Sequence, residues 1–184
     1  MVGEMRDAET ASIGVQSALT GHLVLSSIHT NDAPTAVPRL MDMGVEPYLV
    51  AAVLNAILAQ RLVRKIHLGC IESYEPSPQE VDAIKAQMDK LGLDVSKHPI
   101  PQRLYRGKGC AADGFTGYSG RIGIFELLSV TEKIRELIVS SNFSLDGLRE
   151  LASSEGMITM FEDGLRKAEL GVTTIDEVLR VIGE

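Results

Sequence analysis

The chain has 184 residues, 45% of them hydrophobic and only 4% aromatic, so it can build a core, mainly from aliphatic and methionine side chains. Its 18 basic and 25 acidic residues give a net charge of −7, which argues against a nucleic-acid clamp, since that needs a basic patch or stripe. No apolar run reaches the length of a membrane span, no basic-then-apolar leader stands at the start, and the two cysteines, Cys70 and Cys110, suit reduced thiols better than a disulfide scaffold. The length suits one domain or one and a half.

Met1 to Asp7 has the character of a buried strand's last residues followed by an acidic turn. A core strand needs partners on both sides, so the expectation is a piece of a longer protein. Ala8 to Leu19 follows helical spacing through Ala11, Val15 and Ala18, with Asp7 as N-cap and Gly21 as the stop. Leu23 to Ile28 is predicted as a buried strand, giving a strand–helix–strand unit and a parallel sheet. His22 precedes that strand, and Ser26, Ser27, His29, Thr30, Asn31 and Asp32 crowd its end. A polar tip at the carboxyl end of a parallel strand is where open α/β sheets bind ligands; backbone capping by the histidines is the alternative.

A helix is predicted from Ala33 to about Met43, capped by Asn31 or Asp32 and ended by Gly44. Another is predicted from Tyr48 to about Val63, with Arg61, Arg64 and Lys65 at its negative end. Residues 66–120 change character: Pro76, Pro78, Pro99 and Pro101 flank a polar helix from Gln79 to Leu91, and glycines crowd from Gly107 to Gly123. Little regular core is expected there, and a metal is one way to staple such a segment. From Arg121 a strand runs to about Leu128, followed by helices near 132–141, 145–154, 157–170 and 175–182 that suit a small bundle.

Three stretches carry a resemblance: Val2-Gly3-Glu4-Met5-Arg6-Asp7, Leu19 to Asp32 with its two histidines, and Ala59-Gln60-Arg61-Leu62-Val63. In this order and spacing they resemble the type II secretion and type IV pilus assembly ATPases, and the similarity runs to Glu184. Retraction motors of the same superfamily share the first two motifs. The Asn31-Asp32-Ala33 tip, the turn from Met43 to Pro47 and the glycine-rich insert are closer to the assembly branch.

The resemblance implies an α/β fold: part of a RecA-like P-loop NTPase core over 1–66, an insert over 67–120, and a strand with a helical subdomain over 121–184. It implies Glu4 as the catalytic acidic residue of a Walker B strand end, and His22 and His29 as the nucleotide-facing histidines. Physically, a carboxylate there can hold or polarise a water on Mg²⁺, and a neutral histidine near the γ-phosphate can donate a hydrogen bond. Arg6 can pair with phosphate or with Asp7. ATP and Mg²⁺ are the implied cofactors. The implied assembly is a homo-hexameric ring at the inner face of the cytoplasmic membrane, working with inner-membrane platform proteins and not with nucleic acid.

Two departures stand out. No G-x-x-x-x-G-K-[ST] occurs, so the phosphate cradle is expected before Met1, and the 184 residues alone are not expected to hydrolyse ATP. A truncated or split product serving only interaction or oligomerisation is the alternative. Many assembly-branch members also carry C-x-x-C twice around the insert. Here the matching positions are His67-Leu68-Gly69-Cys70 and Cys110-Ala111-Ala112-Asp113. His67, Cys70, Cys110 and Asp113 keep the spacing of a zinc site, but two cysteines, a histidine and an aspartate are not a usual structural set, so a degenerate, packing-held site stays open.

Overall fold

A computed structural model of the chain describes residues 1–95 and 98–183. In order, the elements are α1 (Ala8–Leu19), α2 (Ala36–Asp42), α3 (Pro47–Val53), β1 (Ala56–Ile66), β2 (Ile71–Tyr74), α4 (Pro78–Lys90), β3 (Leu104–Gly107), β4 (Tyr118–Ser129), α5 (Glu132–Val139), α6 (Leu145–Ser154), α7 (Met160–Glu169) and α8 (Ile175–Gly183). They fall into two compact units. The first is Met1–Gln60 with Phe125–Thr159, the second Arg61–Ile124 with Met160–Glu184. The chain leaves the first unit along β1 and returns along β4, and these two strands pair. No described helix is long and apolar enough to cross a membrane.

In the first unit the helices start where local chemistry dictates. The Asp7 carboxylate accepts the Thr10 N–H at 2.8 Å and caps α1. The side chains of Thr131 and Ser144 cap α5 and α6 in the same way, each using an N–H that a helix start leaves unpaired. Ala11 and Val15 of α1, Val37 of α2, Val50 of α3, Leu128 of β4, Ile134 and Ile138 of α5 and Leu148 of α6 share one core. Each large aliphatic side chain buried there contributes about 1.5–3 kcal/mol.

The structure corrects two expectations in this unit. The helix predicted over Tyr48–Val63 ends at Val53, and Leu54 is already extended. The residues that follow form β1, where Ile57, Ala59, Arg61 and Val63 turn inward and Leu58, Gln60 and Leu62 outward. An apolar run so rich in leucine fits both periods, and the alternation wins. Arg61, Arg64 and Lys65 therefore stand on a strand and cap no helix. The second correction concerns the buried strand over Leu23–Ile28. The segment does run parallel to Met1–Asp7, with Val2 N–H donating to Leu25 O and Met5 N–H to Ser27 O, both at 2.9 Å. Yet Leu23 is 81% and Leu25 60% exposed. Two hydrogen bonds on one edge make no ladder, and a strand is buried on both faces only when layers cover both.

The second unit is better packed than its glycines suggest. β2 and β3 pair antiparallel, from Ile71 opposite Gly107 to Tyr74 opposite Leu104. α4 starts in a capping box, Ser77 and Glu80 each accepting the other's backbone N–H. Ile84, Met88, Leu104, Phe161, Leu165, Ile175 and Val178 form its core, so the expectation of little regular core in the insert is corrected. Apolar residues spaced widely between prolines still converge, because α4, β3, α7 and α8 each contribute side chains to this one core.

Glu177 is a charged residue only 1% exposed. Its carboxylate accepts the Arg64 N–H at 3.0 Å and Arg64 Nη2 at 2.7 Å, and both Nε and Nη2 of Arg180 at 3.0 Å. Burial pushes this carboxyl up, but the arginine hydrogen bonds outweigh burial and bring it from 4.5 to about 2. A depressed carboxyl stabilises the fold fully above its unfolded value and loses that contribution as pH falls toward the folded one. Glu177→Gln is therefore expected to be less stable than wild type at neutral pH by on the order of 3 kcal/mol, with the gap closing between about pH 5 and pH 2. Denaturant unfolding of both proteins across that range tests it; a gap independent of pH would refute the assignment.

Candidate functional site

Glu4, Arg6 and His29 meet in the first unit, at the ends of the two parallel extended segments. With Met5, Arg39 and Met43 they line a cavity of about 150 Å³. Glu4 and Arg6 are two apart on extended backbone and so share a side. Glu4 Oε2 accepts Arg6 Nε at 2.6 Å and lies 2.5 Å from Arg6 Nη2. Glu4 Oε1 is buried, 2.6 Å from His29 Nε2, at ion-pair distance but out of hydrogen-bond alignment. Arg6's hydrogen bond outweighs desolvation and holds the Glu4 carboxyl below its ordinary value, so the group is an anion at neutral pH. Of the two partners expected for Arg6, Asp7 is not the one it meets: Arg6 pairs with Glu4, while Asp7 caps α1.

His22 does not join them. Its Nδ1 lies 3.0 Å from Thr20 Oγ1 and 3.2 Å from Ser17 O, at the end of α1. His22 is not among the residues that line the cavity with Glu4, Arg6 and His29. The expected convergence thus holds for Glu4 and His29 and not for His22. Sequence reasoning passed over Arg39 and Met43, which enter the cavity from α2 and its C-cap. Their signal was available: they are four apart, one helical turn, on the helix that directly follows the histidine stretch.

The second cluster lies wholly in the second unit. Ligand atoms of His67, Cys70, Cys110 and Asp113 lie within 4.8 Å of one another. Cys70 and Cys110 Sγ lie 3.0 and 3.3 Å from Asp113 Oδ2, and His67 Nδ1 lies 3.3 Å from the same oxygen and 3.5 Å from Cys110 Sγ. Single 3-10 turns, Leu68–Cys70 and Ala111–Asp113, present the two halves. A β-carbon on Gly107 would stand 2.1 Å from Gly117 O, so the backbones flanking the cluster approach as only glycine allows. Asp113's other oxygen, Oδ1, accepts the N–H groups of Cys110, Thr116 and Gly117 at 3.1, 2.9 and 3.2 Å. Its hydrogen bond to Asp113, then burial, push the Cys70 thiol up to about 11, and that same bond holds Asp113 far below the usual carboxylate range. Four-coordinate zinc with sulfur, nitrogen and oxygen ligands needs donor separations of about 3.3–3.8 Å. All four side chains are zinc donors by type, and their separations, from 3.0 Å to at most 4.8 Å, bracket that range without meeting it at every pair.

A family model described as "Type II/IV secretion system protein" matches residues 1–180. The chain belongs to the type II/IV secretion system protein family. Among its relatives, the type IV pilus assembly ATPase PilB of Thermus thermophilus is 46% identical over 179 residues, 97% of this chain and 19% of that protein. The type II secretion system protein E of Xanthomonas campestris pv. campestris is 48% identical over 181 residues, 98% of this chain and 30% of that protein. The chain thus spans a fifth to a third of the length of these curated relatives. Two solved structures share its fold. The Legionella pneumophila ATPase DotB aligns with a TM-score of 0.62 at 18% identity, over 98% of this chain and 37% of that one. The pilus retraction motor PilT with bound ADP aligns at 0.60 and 23%, over 97% and 38%. The chain accordingly shares its fold with part of each of these two proteins.

Proposed function

We propose that the chain is the carboxy-terminal part of a ring-forming ATPase that couples ATP hydrolysis to type II secretion or type IV pilus assembly. The observation that carries this reading is the Glu4 carboxylate, ionised, with one oxygen held by Arg6 and the other against His29 at the mouth of a cavity. In this reading Glu4 orients the attacking water and accepts its proton, while Arg6 fixes the carboxylate's rotamer. His29, with its side chain 88% exposed, reaches toward the transferred phosphoryl group. Bound Mg²⁺ would supply charge stabilisation for the phosphates. The His67, Cys70, Cys110 and Asp113 cluster would hold a zinc ion that staples the insert and takes no part in hydrolysis. The assembly we propose is a homo-hexamer at the cytoplasmic face of the inner membrane, engaging platform proteins there.

The phosphate-binding loop falls outside these 184 residues in this proposal. The unit that holds the Glu4 cavity has twelve acidic and five basic residues, a poor environment for a triphosphate without the loop's lysine and amides. Calorimetric titration of the 184-residue chain with Mg-ATP is expected to show no binding at micromolar concentrations. Micromolar binding would refute the division of labour. A longer chain that carries the loop and still neither binds nor hydrolyses ATP would favour a purely interacting module.

A further inference from the structure

The loop that follows His29 is tied down in a way the catalytic reading does not use. Thr30 Oγ1 donates to Asp32 O at 3.0 Å, and Asp32 Oδ1 accepts the Thr35 N–H at 2.9 Å, so the loop is closed by its own side chains. Two distant residues then hold it. Glu126, on the inward parity of β4 with Ile124 and Leu128, accepts the buried Ala33 N–H on Oε1 at 2.8 Å. Arg149 of α6 places Nη2 2.8 Å from Asp32 Oδ2, across 117 positions of sequence. Its other nitrogen, Nη1, lies 3.3 Å from Asp146 Oδ1 on its own helix. The helix is itself fixed, because Leu148 and Ala152 on either side of this arginine are buried in the core that also contains Val37 of α2.

We propose that Arg149 is a positioning residue for ATP hydrolysis, holding through Asp32 the loop that sets His29 against Glu4, and that this contact couples the phosphate-facing loop to α6. The proposal rests on the ATPase reading above. Arg149 and Asp32 are partly exposed, with side chains 43% and 26% accessible, and a pair of that kind adds little to stability. Its consequence is geometric. His29 is three residues from Asp32, and a displacement of about 1 Å at a reacting group costs up to about 100-fold in rate. The Asp146 contact gives Arg149 a second partner when Asp32 withdraws, so the link can break without stranding a charge. A change at the phosphate that moves His29 thereby reaches α6, and a pull on α6 reaches His29.

The test is steady-state hydrolysis by the intact ATPase carrying Arg149→Gln, Asp32→Asn, or both. Asn at 32 keeps the oxygen that accepts the Thr35 N–H and removes only the charge. Each single variant is expected to lower kcat about 10- to 100-fold with KM for ATP within about threefold, and the double variant to be no worse than the more affected single one. The melting temperature should move by no more than about 4 °C, and Asp146→Asn should keep the wild-type rate. Either single variant with kcat within about twofold of an active wild type, or effects that multiply in the double variant, would overturn the proposal. An inactive intact wild type would instead sink the ATPase reading. Hydrogen exchange on the 184-residue chain gives an answer independent of turnover. Arg149→Gln should speed exchange of the Thr35 and Ala33 amides at least about tenfold while α5 and α6 stay protected; unchanged exchange at both would also overturn the proposal.

Discussion

Glu4→Gln in the intact ATPase is expected to lower ATP turnover at least about 100-fold while nucleotide affinity stays within a few-fold, a loss of about 2.7 kcal/mol of transition-state stabilisation. The substitution keeps the shape of the side chain and removes its charge. Three things go with that charge. Arg6 loses the anion it grips at 2.5–2.6 Å, and His29 loses the oxygen 2.6 Å from Nε2. On the proposed function the site also loses its acceptor for the proton of an attacking water. Triphosphate binding, on the same proposal, depends on groups elsewhere and on the cavity's cations, and is expected to survive. Phosphate release measured alongside equilibrium binding of a non-hydrolysable analogue separates the two quantities. Turnover within about fivefold of wild type would remove Glu4 from the chemistry.

The division between what could be read from the chain and what could not follows the range of the interactions involved. Asp7, Thr131 and Ser144 begin helices where expected, because a cap bonds to an N–H two or three residues on and needs nothing else. The helix over Tyr48–Val63 failed because β1 exists by virtue of β4, some sixty residues later, and no local signal announces that partner. Glu4 and His29 were legible as polar residues at neighbouring strand ends. The place of His22 was not, since it is held by Thr20 Oγ1 and Ser17 O at the end of α1 and lies outside the cavity. Glu126 and Arg149 left weaker traces. A charged residue on the inward parity of a strand, between Ile124 and Leu128, calls for a buried partner, but the sequence does not say that the partner is a backbone amide of the loop after His29.

Asp113 should be the most consequential residue of the second unit, because its two oxygens do different work. Oδ1 accepts three backbone N–H groups and so builds the turn; Oδ2 faces both thiols and His67 and so completes the donor set. Two substitutions separate these roles. Asp113→Ala removes both, leaving three amides without their acceptor at about 1 kcal/mol or more each, and is expected to destabilise the second unit by on the order of 3 kcal/mol even without metal. Asp113→Asn keeps an oxygen for the amides and abolishes the anionic donor, so the metal-free protein should unfold within about 1 kcal/mol of wild type. Its zinc affinity should fall on the order of 100-fold or more, since even outer-shell partners of ligands are worth 10- to 100-fold. Elemental measurement on protein never exposed to chelator is expected to give about one zinc per wild-type chain, and chelation should loosen the insert at β2 and β3 while α1, α5 and α6 stay folded. Well under one zinc in the wild type would leave the cluster as a hydrogen-bonded staple alone. In that case the difference between the alanine and asparagine variants should persist unchanged, because the turn that Oδ1 holds does not depend on what Oδ2 faces.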